Sequence, residues 1–342
     1  MSNKLIGGFF GLDLDLLQET KDSVWAHWTK DTSCALGFEN ARSALAYLFD
    51  QKKPRTIWLP SYICRDVMAG DGAYNFYPAD PLNGTDTGFL SRNVADGDAV
   101  VVVNYFGHTP SPAMLDFIKS CPDILWVEDR CHTLWSEIPV YGDWAVYSPR
   151  KVLGVADGGL LVSYRDELSP PDFAPAQTPA QTPARMRYED KDQNQNGLWY
   201  PAYQKVEAEM TVSLHPLSGE SLNILQNLPI SSLIKFRKRN AAILRQYLEG
   251  IKGVQILPSG DAPFCVPVLL ESADAADIAS RMAKNKVFCA RHWADLAVPP
   301  EKSPQSHDLA RKLLSLPCDH RYDERDMKIV ADTLENTLST LT

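Results

Sequence analysis

The segment Tyr147-Ser148-Pro149-Arg150-Lys151, followed by Gly154 and by Asp157-Gly158-Gly159, puts a primary amine just past an apolar run, in a turn built with Pro and Gly. An amine held in one place can condense with an aldehyde, and an aldehyde cofactor that carries a phosphate also wants hydroxyl and cationic donors close by. Ser148 and Arg150 stand where they can supply these. A lysine taken alone belongs on a solvated face. Its neighbours are what give this one a chemistry.

Two further segments fit the same chemistry. Ile124-Leu-Trp-Val-Glu-Asp-Arg-Cys-His132 reads as a buried strand that ends in Glu128 and Asp129. Sheets with helices on both faces place ligands at the carboxyl ends of their strands. A carboxylate there can hold a pyridine nitrogen protonated and make the ring an electron sink; taken alone, the pair also reads as a capping Asp in a turn. Asn40-Ala-Arg-Ser-Ala-Leu45 opens a helical pattern, and a helix N-terminus with small residues and a hydroxyl receives anions. It is equally an ordinary N-cap.

The elements that must position these residues follow from the apolar pattern. Residues 39–50 carry helical spacing, and strand-length apolar runs occur at Thr56–Leu59, Ala99–Val103, Ile124–Val127, Trp144–Tyr147 and Gly159–Ser163. Helical stretches such as 111–120 separate some of them. The alternation predicts an α/β domain with a largely parallel sheet. Residues 166–184, with Pro170-Pro171 and the near-repeat Ala-Gln-Thr-Pro-Ala-Gln-Thr-Pro-Ala, read as an extended, mobile loop, and 185–220 as irregular chain carrying Arg185, Arg187, Trp199, Tyr200, Tyr203 and His215. Beyond Ser231 the pattern predicts a helix over Leu233–Gly250, a strand over Phe264–Leu269, a helix over Asp274–Ala283, a strand over Val287–Ala290 and a closing helix after Asp323. The expected division is a large domain over 1–230 and a smaller α+β domain over 231–342.

Composition excludes several classes. The 342 residues are 44% hydrophobic and 23% charged with a net charge of -9, an ordinary enzyme balance with no basic footprint for nucleic acid. No run approaches the roughly 20 apolar residues of a membrane span, and the first ten residues lack a signal-peptide pattern. The seven cysteines are scattered, with no CxxC pair and no zinc spacing, as in reduced thiols of a cytoplasmic protein. There is no GxxxxGK[ST] loop and no GxGxxG motif after a strand.

Taken in order, these segments resemble the DegT/DnrJ/EryC1/StrS group of pyridoxal-phosphate sugar aminotransferases. Trp58-Leu-Pro-Ser-Tyr-Ile-Cys64, Val103-Asn-Tyr-Phe-Gly107, Arg237-Lys-Arg-Asn240 and Leu314-Ser-Leu-Pro317 extend the match over roughly residues 35–340. The resemblance implies a fold-type-I transferase with pyridoxal 5'-phosphate as cofactor. Lys151 would be the Schiff-base lysine and proton carrier, and Asp129 the partner of the pyridine nitrogen. His132 would stand near the cofactor's phenolic oxygen, and Arg42, Ser43 and Ser148 would hold its phosphate. Where many relatives stack an aromatic residue on the cofactor this chain has Cys64, with Tyr62 the nearby substitute; where many have Asn-Tyr-Arg it has Ser213-Leu-His-Pro-Leu-Ser218. Ser148 also lies closer to the lysine than is common in the group. The resemblance further implies an amino donor such as glutamate, a nucleotide-linked keto sugar as acceptor, and a homodimer with shared sites. The alternatives are another reaction on the same cofactor, or a cofactor-binding regulator or idle relative.

Overall fold

A computed structural model describes residues 4–175, 182–193 and 195–340. Seven strands form the central sheet: β1 (Cys34–Phe38), β2 (Ile57–Pro60), β3 (Tyr74–Tyr77), β4 (Ala99–Val103), β5 (Leu125–Asp129), β6 (Trp144–Tyr147) and β7 (Gly159–Ser163). Their order across the sheet is β1-β7-β6-β5-β4-β2-β3. Strands β3, β2, β4, β5 and β6 are mutually parallel; β7 runs antiparallel to β6, and the edge strand β1, antiparallel to β7, runs with the other five. The largely parallel α/β sheet expected from the sequence is therefore present. All five residues of β4 are buried, as a strand covered on both faces requires.

Strand β1 has no counterpart in the sequence reading, because Gly37 interrupts its apolar run. The structure shows why glycine stands there: a Cβ at Gly37 would lie 3.0 Å from the Leu217 Cβ.

Helix α1 (Ala41–Lys52) begins at Asn40, whose side-chain oxygen accepts from the Ser43 N–H at 2.9 Å. The loop after Lys151 is pressed onto this helix start. The Gly158 N–H donates to the Glu39 carbonyl at 2.7 Å, and a Cβ at Gly159 would fall 2.2 Å from the Asn40 carbonyl carbon. No side chain fits at Gly159, so the lysine loop and the anion-receptive helix end are held face to face.

Residues 185–220 differ from the expectation of irregular chain. They contain helix α2 (Pro183–Glu189), helix α3 (Asn196–Glu209) and the start of helix α4 (Gly219–Asn227). Thr182 caps α2 through the Arg185 N–H, so the end of the expected Pro-rich loop is helical. Most of the near-repeat, residues 176–181, lies outside the described residues. Earlier in that stretch Phe173 packs its edge on Phe38, and the Ala174 N–H donates to the Leu214 carbonyl.

A second core gathers around the antiparallel sheet β8 (Val254–Ile256), β9 (Cys265–Leu270) and β10 (Leu313–Pro317). The long helix α5 (Ile230–Leu248) gives Ile230 and Leu233 to the first core and Ala241, Leu244 and Leu248 to the second. The N-terminal segment also joins the second core: Ile6–Gly7 pairs in parallel with Val287–Phe288.

Candidate active site

Parallel pairing decides where the chemistry collects. Val127 lies opposite Trp144 and Asp129 opposite Val146, so β5 and β6 reach the same edge of the sheet together. Asp129 ends one strand there, and Ser148 and Lys151 follow directly from the other. Pro149–Val152 is a single helical turn that sets Lys151 on the wall of a cavity of ≈ 560 Å³.

Strand alternation separates the two adjacent carboxylates. Glu128 is fully buried, ion-paired with Arg130 at 2.7 Å, and accepts from the backbone N–H groups of Tyr141 and Gly142. It pins the 138–142 loop and has nothing left for a ligand. Asp129, also buried, accepts one bond, from the Cys131 N–H at 2.9 Å. No cation forms an ion pair with it among the described residues.

His132 is the clearest sign of an awaited group. Its ring is buried and both nitrogens lack hydrogen-bond partners. It stacks on Trp293 at 4.8 Å and 7°, with the His292 ring at 4.7 Å. Burial, with His292 and Lys151 adding to it, holds the His132 pKa well below the usual histidine value, and the same causes without the second histidine pull His292 down to about 3. Both rings are therefore neutral at physiological pH. Native proteins rarely leave buried polar atoms unpaired unless a ligand or water completes them.

Lys151 donates no hydrogen bond through its side chain among the described residues. Burial opposes its charge, but Cys131, Cys64 and Asp129 around it hold its pKa above the ordinary lysine value. Burial pushes both of those thiols up as well, which leaves the Asp129 carboxylate as the neighbouring charge that matters.

The other expected site residues are placed differently. Ser148 is buried beside Lys151, with its hydroxyl making no bond among the described residues. Ser43 is buried at the start of α1, but its hydroxyl donates to Asn40 and accepts from the Ser213 N–H at 3.0 Å. Arg42 pairs with Asp66 at 2.6 Å and donates to the Met210 carbonyl at 2.6 Å. Residues 210–213 of the same chain thus engage both groups expected to hold the phosphate. Tyr62 is wholly enclosed, its hydroxyl donating to the His292 carbonyl, and its ring packs edge-on against Trp293 and Tyr105.

Sequence reading missed His292, Trp293 and Phe264, which close around His132. The only signal was an aromatic residue beside a histidine at 292–293. Several of residues 185–220, read from the sequence as irregular chain, form a wall of the cavity. Trp199 is buried, Tyr203 stacks on Phe9 at 3.9 Å and 6°, and Arg187, Tyr200 and Glu207 also line the cavity. Of the aromatics Trp199, Tyr200 and Tyr203, Tyr200 alone is exposed.

No protein-family model and no curated protein matches the sequence. Solved structures do match, along nearly the whole chain. The aminotransferase TlmJ from Streptoalloteichus hindustanus is 15% identical, covers 99% of this chain and 100% of its own, and superposes with a TM-score of 0.67. Spr1654 from Streptococcus pneumoniae, solved in a PLP form, is 12% identical with coverages of 100% and 94% and a TM-score of 0.66. DesI, solved with its TDP-sugar product, is 18% identical with coverages of 89% and 80% and a TM-score of 0.63. The chain shares their fold. The mixed α/β architecture with a largely parallel sheet that the resemblance implied, that of fold-type-I transferases, is thereby found.

Proposed function

We propose that the chain is a pyridoxal-phosphate-dependent aminotransferase, moving an amino group from glutamate to a keto group of a nucleotide-linked sugar. The observation that carries this reading is the set of groups gathered at one sheet edge: the Lys151 amine, the Asp129 carboxylate, the Ser148 hydroxyl and the His132 ring, whose two nitrogens are buried without partners among the described residues. These residues fit the cofactor. Lys151 would hold its aldehyde carbon, Asp129 its ring nitrogen, and Ser148 with the backbone N–H groups of α1 its phosphate. When bound, the cofactor supplies an electron sink for the carbon that loses a proton.

The protein's own part is positional. Asp129, fixed by the Cys131 N–H, keeps its carboxylate aimed from the strand end. Lys151, set by its helical turn, is the group that can carry a proton between adjacent carbons. Trp293 and Phe264 enclose His132 and exclude water on that side. The solved likenesses support the reading, since two of them are described with a PLP form or a TDP-sugar product. Purified protein is expected to absorb visible light and to bleach with glutamate. A colourless protein, or a colour indifferent to every amino acid, would favour a cofactor-free or regulatory protein.

We further propose residues 1–230 as the cofactor-binding unit, a homodimeric assembly, and a cytoplasmic location in keeping with seven free thiols. Leu198, Tyr200, Val206, Val212 and Leu214 are exposed within one short stretch and supply an apolar surface for a second copy. Light scattering at micromolar protein should give twice the chain mass; a fully active species of one chain mass would count against the dimer.

A further inference from the structure

The cavity beside Lys151 contains cations, and most are already matched. Arg150 pairs with Glu207, and Arg321 pairs with Asp319 at 2.8 Å. Arg187 is different. Its Nη2 donates to the Gly7 carbonyl at 2.9 Å, and its guanidinium lies over the Phe9 and Trp199 rings at 5.2 and 5.0 Å. No carboxylate among the described residues stands within ion-pair distance of it, and its Nη1 is buried with nothing to donate to.

The surroundings keep that position open. Gly8 faces Nη1, and a Cβ there would stand 3.3 Å from it, in space an acceptor would need. Burial, with Arg321 adding to it, pulls the Arg187 pKa down to about 10, so the group stays charged at neutral pH. A desolvated cation without a counter-ion is costly to a folded chain. Its fork is suited to a planar, two-oxygen anion.

We propose that Arg187 receives the carboxylate of the amino donor, an amino acid whose amine is thereby presented to Lys151 in the same cavity. This rests on the aminotransferase reading of that cavity. The Phe9 and Trp199 rings flank the guanidinium and hold it in place. The other anion source in such a reaction is the diphosphate of the sugar nucleotide, and the test separates the two.

The test is titration calorimetry on the full-length protein as purified, with glutarate as a dicarboxylate that has no amine to react, and separately with thymidine diphosphate. Glutarate is expected to bind the wild type at millimolar concentration or better. Arg187→Gln should weaken it about 10- to 100-fold, the loss expected of a charge-assisted pair. Arg187→Lys keeps the charge but loses the planar fork, and should still lose about tenfold because it cannot bind both oxygens. Thymidine diphosphate should bind all three proteins alike. Wild-type glutarate affinity in Arg187→Lys, no glutarate binding to the wild type, or loss of thymidine diphosphate binding alone would each overturn the assignment. Because glutarate does not react, the outcome does not depend on turnover. A protein that binds glutarate through Arg187 yet transfers no amino group would condemn the reaction proposed above and leave this site standing.

Discussion

Replacing Lys151 with alanine is expected to remove the visible absorbance of the cofactor-loaded protein and to cut amino transfer by about 10⁴-fold or more. The size of the effect follows from the position of the amine. Its side chain makes no hydrogen bond among the described residues, it shares a sheet edge with Asp129, and its loop is clamped to the start of α1 through Gly158 and Gly159. Alanine should leave the fold intact, since the clamp is made by backbone atoms. An absorbance spectrum with a single-turnover assay decides the matter: retained colour and retained activity would mean that another amine has the role. Arg150 cannot take it over, because a guanidinium does not give up its proton in proteins.

The two neighbouring carboxylates should respond in opposite ways. Asp129→Asn is expected to keep the fold and some bound cofactor while lowering turnover by about 10²- to 10³-fold, since an amide cannot hold a ring nitrogen protonated. Glu128→Gln should instead cost about 3–5 kcal/mol of stability, because it breaks a buried ion pair and leaves the Arg130 guanidinium uncompensated. Denaturant melts beside steady-state rates read both. If Asp129→Asn turned over normally and Glu128→Gln were inactive yet fully stable, the roles would be reversed.

Some of this was open to inspection in the chain. Strands β4 and β7 fall where unbroken apolar runs put them, because residues buried on both faces need no alternation and leave a plain signal. The opposite facing of Glu128 and Asp129 was also implicit, given the two-residue period of a strand. Other features depend on contacts that no local pattern reports. Helix α3 carries Gly197 and Pro201 and buries only Trp199, so its periodicity is faint. Arg187 gets its surroundings from Gly7 and Phe9, some 180 residues earlier. Arg42 and Ser43 were read correctly as the start of a helix, but their engagement by residues 210–213 comes from a segment that sequence alone leaves unplaced.

The unpaired atoms of His132 and Arg187 have a consequence outside catalysis. Each buried polar group left without a partner costs a fold about 1–3 kcal/mol, a sizeable share of the 5–15 kcal/mol that holds a typical domain together. Ligand at a hundred times its dissociation constant returns about 2.7 kcal/mol. A freshly made chain that has not met its small molecules therefore opens more often, and proteases act on opened chains. The amount of this protein in a cell would then follow the supply of what it binds, with no transcriptional control needed.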